Sequence, residues 1–409
     1  MRTTRLFQRV ILKSLLIFGI GLAAGAQAAQ TKSLAEDNTA FAFDLYARLS
    51  GTPGNLFFSP YSISTCLAMT YAGARGDTET QMARVLHFSK GKSGLHSSFG
   101  KLQQQLDEAA KQKGIQLDIA NALWAQKGHH FLPAFTKIAQ GDYQANLNQA
   151  DFKTSADAVR REINRWVAQK TRDKIHDILS PGSLDDLTRL VLANAIYFKG
   201  IWARPFEKAA TATQPFHLSA NRQADALLMH HVADVRYIGN DDFQAVELPY
   251  SGDELSMVIL LPRQVDALGQ LENQLSPPFL ARLLAQMKQQ EVEIFLPRFK
   301  LESGFKLNDM LAKMGMPDAF VWLKADFSGI NGNRHDLYIS GVFHKAWVEV
   351  NEEGTEAAAA TGVVMMAASI AERPPPPPVF RADHPFIFLI RDTRSGSLLF
   401  AGRLADPRA

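Results

Sequence analysis

Cysteine is almost absent from this sequence of 409 residues, which contains only Cys66. No intrachain disulfide can form, so side-chain packing must provide the stability. Cys66 lies in the apolar stretch Ile63–Met69, where a free thiol typically behaves as a small buried hydrophobic group. No activating histidine or cation is near it in sequence, and we expect no catalytic role for the thiol.

An excess of charge of one sign is also missing. The formal net charge is +3, but Arg2, Arg5, Arg9 and Lys13 all lie in the first 28 residues. Removing these four from the 44 Lys and Arg leaves 40 basic against 41 acidic residues, a net charge of −1. A near-neutral surface without a basic stripe attracts phosphate only weakly, so we expect no nucleic-acid partner.

No apolar run is long enough to cross a bilayer comfortably. The N-terminus instead has the three parts of a secretory signal: the basic segment Met1–Lys13, the apolar run Leu15–Ala24, and the small-residue site Ala26-Gln27-Ala28. We expect a signal peptide at residues 1–28, with residues 29–409 exported to the periplasm or the extracellular space and no membrane partner. An uncleaved membrane anchor is the alternative for this segment.

Linkers, charge blocks and internal repeats are missing from residues 29–409, which predicts one large domain. Apolar residues at three- and four-residue spacing predict helices mainly in the first half, at Thr39–Leu49, Ile63–Leu86, Lys101–Lys111 and Ala156–Lys170. Apolar or alternating runs predict strands at Leu190–Phe198, Ala245–Leu248, Ser256–Leu261, Glu291–Lys300, Leu337–Ser340, Ala346–Asn351, Phe386–Arg391 and Ser397–Gly402. This distribution favours an α+β fold, with helices gathered around large sheets.

Motifs of catalysis and metal binding are missing as well. The sequence has no Gly-x-Ser-x-Gly and no His-Glu-x-x-His. The pairs His129-His130 and His230-His231 are adjacent in sequence, so their side chains point in different directions, unlike metal ligands four residues apart on a helix. We expect a protein that is not an enzyme, with no metal and no cofactor. A secreted hydrolase with a dispersed catalytic site is the alternative from another class.

One segment has an unusual composition. Residues 354–371 are rich in alanine and other small residues, and five prolines follow from Pro374 to Pro378. The proline run must be extended, because proline has a fixed φ and no N–H donor. The small-residue stretch fits an exposed linker, a short helix, an edge strand, or a segment that can slide between close-packed strands.

Several residue sets, in order along the chain, resemble motifs of one family, the serpins (serine protease inhibitors). They are Asn55–Ile63 with Gly73–Thr78, Asn194–Trp202 with Pro205-Phe206, Phe343–Ala346, Glu353–Ala358, Asp383–Phe386 and Leu399–Arg403. The resemblance runs from about Asp37 to the C-terminus. Together with the export signal, it indicates a bacterial-type exported member of the family. It implies a single domain with three β-sheets, about eight or nine helices, and an exposed reactive-centre loop at about residues 352–378.

The resemblance also implies inhibition of serine-type endopeptidases by a suicide-substrate mechanism. In inhibitory serpins the protease cleaves the loop and stays covalently attached, and the loop inserts as an extra strand into the main sheet. The hinge that the resemblance implies consists of Glu353, Gly354, Thr355, Glu356, Ala357, Ala358, Ala359 and Ala360. Insertion requires small hinge residues, a condition that the segment Gly354–Ala360 meets. This favours an inhibitor over the alternative of a non-inhibitory binding or storage serpin.

Family spacing places the reactive bond between Ala368 and Ser369. The small Ala368 suits an elastase-like or subtilisin-like protease. If the position of the reactive bond shifted by two residues, Met366 or Ile370 would take the place of Ala368 as the specificity residue. Arg373 would suit a trypsin-like protease but lies five residues too far along. The expected partner is a serine protease in a covalent complex. A cysteine protease is a second class of target, because trapping requires only an acyl intermediate, and we expect a monomer.

Two further groups are implied by the resemblance. Ser59, Ser62, Asn194 and His344 match the family's shutter, a polar cluster under the middle of the main sheet. Trp202, Arg298 and Glu352 match the breach, where insertion starts, and we expect Arg298 and Glu352 to lie close together in space. No basic helix face indicates heparin binding.

Overall fold

Two β-sheets and ten α-helices make up the computed structural model in the residues that it describes, 34–89, 91–353 and 376–408. The helices are α1 (residues 34–49), α2 (Pro60–Tyr71), α3 (Gly76–Val85), α4 (Lys92–Ala110), α5 (Pro133–Gly141), α6 (Phe152–Lys170), α7 (Leu268–Glu272), α8 (Pro277–Gln286), α9 (Asn308–Met314) and α10 (Ser328–Asn331). Two short 3₁₀ turns lie at Lys208–Ala210 and Pro317–Phe320.

Fourteen strands belong to the same residues. They are β1 (Leu56–Phe58), β2 (Ile115–Gln126), β3 (Asn146–Ala150), β4 (Leu190–Gly200), β5 (Ala212–Ser219), β6 (Arg222–Gly239), β7 (Phe243–Pro249), β8 (Leu255–Pro262), β9 (Lys288–Pro297), β10 (Phe299–Lys306), β11 (Ile339–Val350), β12 (Val379–Arg381), β13 (Phe386–Asp392) and β14 (Leu398–Leu404).

The five-stranded sheet has the order β10-β11-β4-β2-β3. Its central strand β4 is buried along its whole length except at Lys199, because both of its faces are covered. The strands β11 and β4 run parallel and pair directly from Ile339 opposite Leu190 to Val348 opposite Phe198. The outer neighbours β10 and β2 pair antiparallel with β11 and β4.

The nine-stranded sheet has the order β1-β14-β13-β8-β7-β6-β9-β12, with β5 paired to β6. The 18-residue strand β6 joins the part of this sheet that ends at β7 to the part that contains β5, β9 and β12. The last residues of β6, Arg236–Gly239, pair with β7, whereas its earlier part pairs with β5 and β9. The described residues therefore form two β-sheets where the resemblance implies three, because β6 carries the hydrogen bonding across the whole of the larger sheet.

Helices cover both faces of the five-stranded sheet. The fully buried α2 lies between the sheets and contacts β4 and β14. On the opposite face, α6 packs Val159, Ile163 and Val167 against a cluster that includes Val191 of β4 and Trp347 of β11. The junction between β4 and β11 is thus enclosed from both sides.

The α+β fold is confirmed, and the structure corrects several element boundaries. The helix predicted at Ile63–Leu86 is two helices, α2 and α3, and α3 starts at Gly76 with a φ of +56°. The strand predicted at Glu291–Lys300 is two strands that meet at Arg298, and the strands predicted at Leu337–Ser340 and Ala346–Asn351 are one strand, β11. The mainly helical first half also contains β2. The described residues form ten helices, close to the expected number of about eight or nine.

Cys66 is buried, as predicted, and burial raises the pKa of its thiol to about 12. The thiolate is the reactive form, so this thiol is inert at physiological pH. Within residues 34–89, 91–353 and 376–408, no helix is both long and apolar enough to cross a membrane.

Candidate functional site: the junction of strands β4 and β11

The parallel junction of β4 and β11 lies in the middle of the five-stranded sheet, with no strand between them in the described part of the chain. The chain leaves β11 at Val350 and continues as Asn351–Glu353, which we call the exit segment. It resumes at Pro376 and enters β12 of the other sheet at Val379. Residues 354–375 therefore connect the end of β11 to the nine-stranded sheet.

A polar group, the central cluster, lies under this junction and consists of Ser59, Ser62, Asn121, Asn194 and His344. Strand register explains why the last three meet: His344 of β11 is opposite Asn194 of β4, which is opposite Asn121 of β2. Ser59 caps the N-terminus of α2, its Oγ accepting from the Ser62 N–H at 3.1 Å. All but the partly buried Asn121 are fully buried.

The hydrogen bonds of His344 define its tautomer. The backbone N–H of Ser59 donates to Nε2 at 3.0 Å, so Nε2 carries no proton. The other nitrogen, Nδ1, therefore carries the proton and donates to Asn194 Oδ1. Burial lowers the pKa of His344 to about 3, which keeps the imidazole neutral at physiological pH.

The remaining contacts tie the junction to its surroundings. Asn194 Nδ2 donates to the Ser62 carbonyl at 3.0 Å and also contacts Ser62 Oγ and Asn121 Oδ1. Ser59 Oγ donates to the Leu399 carbonyl of β14 at 2.6 Å. The cluster thus links β2, β4, β11, α2 and the second sheet, and separating β4 from β11 breaks the His344–Asn194 bond.

The exit segment is held by the chain that follows β4. The backbone N–H of Phe206 donates to the Glu352 carbonyl at 2.8 Å, and that of Trp202 donates to the Glu353 carbonyl at 3.2 Å. The indole Nε1 of Trp202 donates to the Asn351 carbonyl at 3.0 Å. These three bonds fix the backbone at the point where the chain leaves the sheet.

Charged side chains add to this anchor. The side chain of Glu352 is only 5% exposed; its Oε2 lies 3.5 Å from Arg298 Nε, and its Oε1 accepts from Thr211 Oγ1 at 2.7 Å. The expectation that Arg298 and Glu352 lie close together is therefore confirmed. Glu353 pairs with Lys208, which is largely exposed.

The outer face of the junction is also covered. The rings of Tyr197 on β4 and Trp347 on β11 lie 4.8 Å apart beneath α6. Lys345 of β11 donates to the His176 carbonyl at 2.6 Å, in the segment that follows α6. A strand entering between β4 and β11 must therefore displace these contacts.

The structure brings the four predicted shutter residues together, and likewise the three predicted breach residues. Sequence reasoning missed Asn121 and Thr211, although Asn121 is a polar residue inside an apolar strand, a signal that could have drawn attention to it. The predicted hinge residues Gly354–Ala360 and the predicted reactive bond Ala368–Ser369 lie outside the described residues. In the described part of the chain, no group of three or more His, Cys, Asp or Glu could hold a metal ion.

Comparisons with known proteins agree with this arrangement. Residues 36–407 match the model of the family described as "Serpin (serine protease inhibitor)". Leukocyte elastase inhibitors of Xenopus tropicalis and Homo sapiens are 42% and 41% identical to the chain, covering 92% of it and 100% of each relative. The crystal structure of uncleaved ovalbumin superimposes with a TM-score of 0.83 at 31% identity, over 91% of this chain and 100% of that one. The chain belongs to the serpin family.

Proposed function

We propose that the protein inhibits serine-type endopeptidases as a suicide substrate. The observation that carries this proposal is the direct parallel pairing of β11 with β4, because the exit segment at the end of β11 leads into the predicted reactive loop. The central pair of the sheet is then the place where that loop inserts. Relatives that cover the same residues are named as elastase inhibitors, which supports the proposal.

In the proposed reaction, the catalytic serine Oγ of the protease bonds to the carbonyl carbon of Ala368. The Ala368–Ser369 peptide bond breaks, and the serine proton passes through the catalytic histidine of the protease to the departing Ser369 amine. An ester then joins the protease to Ala368. Insertion of the freed loop carries the protease away before water can hydrolyse this ester. The chain itself contributes no catalytic group, in keeping with a protein that is not an enzyme.

The length and direction of the loop fit insertion. Residues 354–368 number 15 and span about 50 Å when extended, against about 40 Å for the 12 residues of β11. A strand returning from the exit segment runs antiparallel to β11 and to β4, since these two are parallel. One parallel ladder is thereby replaced by two antiparallel ladders, which are slightly more stable per residue.

The roles of the two anchoring groups follow from this proposal. The central cluster acts as the shutter, because it must open before the strands part. Trp202, Arg298 and Glu352 act as the breach, because they hold the first residues that would enter the sheet. The stored native form is then protected by a kinetic barrier.

The target protease follows from the residue before the reactive bond. Ala368 is small, which suits an elastase-like or subtilisin-like serine protease, and the similarity to leukocyte elastase inhibitors supports the elastase class. A cysteine protease is a second target class. Residues 1–28 act as the signal peptide of a bacterial-type exported member, and residues 29–409 form one monomeric domain in the periplasm or outside the cell.

The experiment mixes the mature protein with pancreatic elastase and with subtilisin, followed by denaturing gels and mass spectrometry. We expect a denaturant-resistant complex and a released peptide that begins at Ser369. The variant Ala358→Arg places a bulky charge in the hinge and should be cleaved without forming a complex, whereas Ala358→Ser should behave as the wild type.

Cleavage of the wild type by both proteases, without a complex and without a gain in heat stability, would contradict the proposal and favour a non-inhibitory serpin. Turnover of a chromogenic ester by the protein alone would instead favour a hydrolase.

A further inference from the structure

A cleft of about 440 Å³ lies beside the exit segment, where the pairing of strand β6 is interrupted. One edge of β6 pairs with β9, and the other pairs with β5 up to Leu228 and with β7 from Arg236 onward. Between them, residues 229–235 have no strand partner on this second edge within the described chain. Residues 202–206 lie beside this gap, with the ring of Phe206 against that of His231. The cleft lies between residues 202–206 and the unpaired stretch of β6.

The lining of the cleft, which we call the side cleft, combines aromatic and aliphatic residues with polar ones. Its apolar lining includes Trp202, Phe206, Val235, Leu248 and Ile294. Its volume is within the range of small-molecule sites. The charged lining residues, Arg204 against Asp234 and Asp253, give the lining a net charge of −1, so the cleft disfavours an anion.

One polar atom in the lining has no partner. His231 Nε2 is buried, and no hydrogen bond to it is found in the described residues. The ring of His231 packs against Phe206, with centroids 5.6 Å apart, and burial lowers its pKa. A neutral imidazole nitrogen left unpaired in a buried place is unfavourable, and a ligand that hydrogen-bonds to it removes that cost.

We propose that the side cleft binds a neutral, flat aromatic molecule that carries one hydroxyl group, with the ring against Trp202 and Phe206 and the hydroxyl on His231 Nε2. The apolar residues of the lining select the ring, and the net negative charge of the lining disfavours a carboxylate or another anion. The unpaired nitrogen selects the hydroxyl.

Occupancy of the side cleft acts on the exit segment. Trp202 and Phe206 line the cleft, and their backbone N–H groups donate to the Glu353 and Glu352 carbonyls. A ligand packed against both residues restrains the backbone that carries these bonds. The exit segment should then be released more slowly. If the proposed function holds, loop insertion should be slowed as well.

Calorimetric titration of the uncleaved protein tests the binding with three probes: 2-naphthol, naphthalene and 2-naphthoate. We expect 2-naphthol to bind more tightly than naphthalene by about three- to tenfold, the contribution of one hydrogen bond. The variant His231→Phe should remove this difference, and His231→Gln should restore part of it. His230→Phe is the matched control, since His230 is the next residue of β6 and pairs instead with Glu293.

Equal affinities of 2-naphthol for the wild type and His231→Phe would overturn the proposal, and so would tighter binding of 2-naphthoate or no binding of any probe. Amide hydrogen exchange gives a second readout: 2-naphthol should slow exchange at Trp202 and Phe206. Neither measurement uses a protease, so a protein that binds 2-naphthol but traps no protease would refute the proposed inhibition alone.

Discussion

His344 should make the closed β4–β11 junction sensitive to pH. Burial lowers its pKa to about 3, against an ordinary value of 6.5 when the side chain is exposed. Between these values the open form binds more protons than the closed form, so the closed form loses stability as the pH falls from 6.5 towards 3. Each pH unit well below 6.5 corresponds to about 1.4 kcal/mol, but the open form is already half-protonated at pH 6.5, so the loss between pH 6.5 and pH 5 is about 1–2 kcal/mol.

Amide hydrogen exchange of β11 measures this opening directly. After correction for the intrinsic exchange rate, protection of the amides bonded to β4 should fall about 15-fold between pH 6.5 and pH 5. The variant His344→Gln retains an acceptor for the Ser59 N–H but does not titrate, so the added pH dependence should disappear.

A matched control is His96→Gln. Burial also lowers the pKa of His96, to about 4, but its Nδ1 bonds to the Tyr143 hydroxyl at 2.6 Å and not to the central cluster. This variant should keep the wild-type pH dependence of β11. The same pH dependence in the wild type and in His344→Gln would refute the assignment of the effect to His344.

Three further predictions concern the anchors and the core. Glu352→Gln removes the charge that faces Arg298 and should weaken the exit-segment anchor by about 1 kcal/mol, seen as faster exchange at the Phe206 amide, whereas Glu353→Gln, in an exposed pair with Lys208, should have less effect. Asn121→Ala removes an acceptor of Asn194 Nδ2 and should lower resistance to urea unfolding by about 1–2 kcal/mol; an unchanged urea midpoint would argue against a structural role for Asn121. Gly200→Ala places a Cβ 2.6 Å from Tyr250 Cδ1 and 2.8 Å from Phe198 Cζ, so it should cost about 1–3 kcal/mol in the same assay, whereas Gly269→Ala meets no atom within 4 Å and should be neutral or slightly stabilising.

The sequence predicted strands best where burial is complete. Strand β4 is an uninterrupted apolar run, so its position could be predicted without knowledge of its neighbours. Strand β6 was missed because its exposed and partly buried positions carry charged residues, and its pairing with β5, β7 and β9 is determined by tertiary contacts.

The candidate site was predicted in part for a related reason. Its members His344, Asn194, Arg298 and Glu352 were found through motif resemblance. The contribution of Asn121 depends on the register of β2 against β4, and that of Thr211 depends on how the chain after β4 folds back on the exit segment. Neither can be derived from local sequence, because both are long-range pairings.

A crystal structure of the protein after cleavage by elastase tests the central claim most directly. We predict a main sheet of six strands rather than five, with residues from 354 onward forming a new antiparallel strand between β11 and β4. The separation of these two strands should then double from about 4.8 Å to about 9.6 Å. A cleaved structure in which Ile339–Val348 still pairs with Leu190–Phe198 would contradict the account.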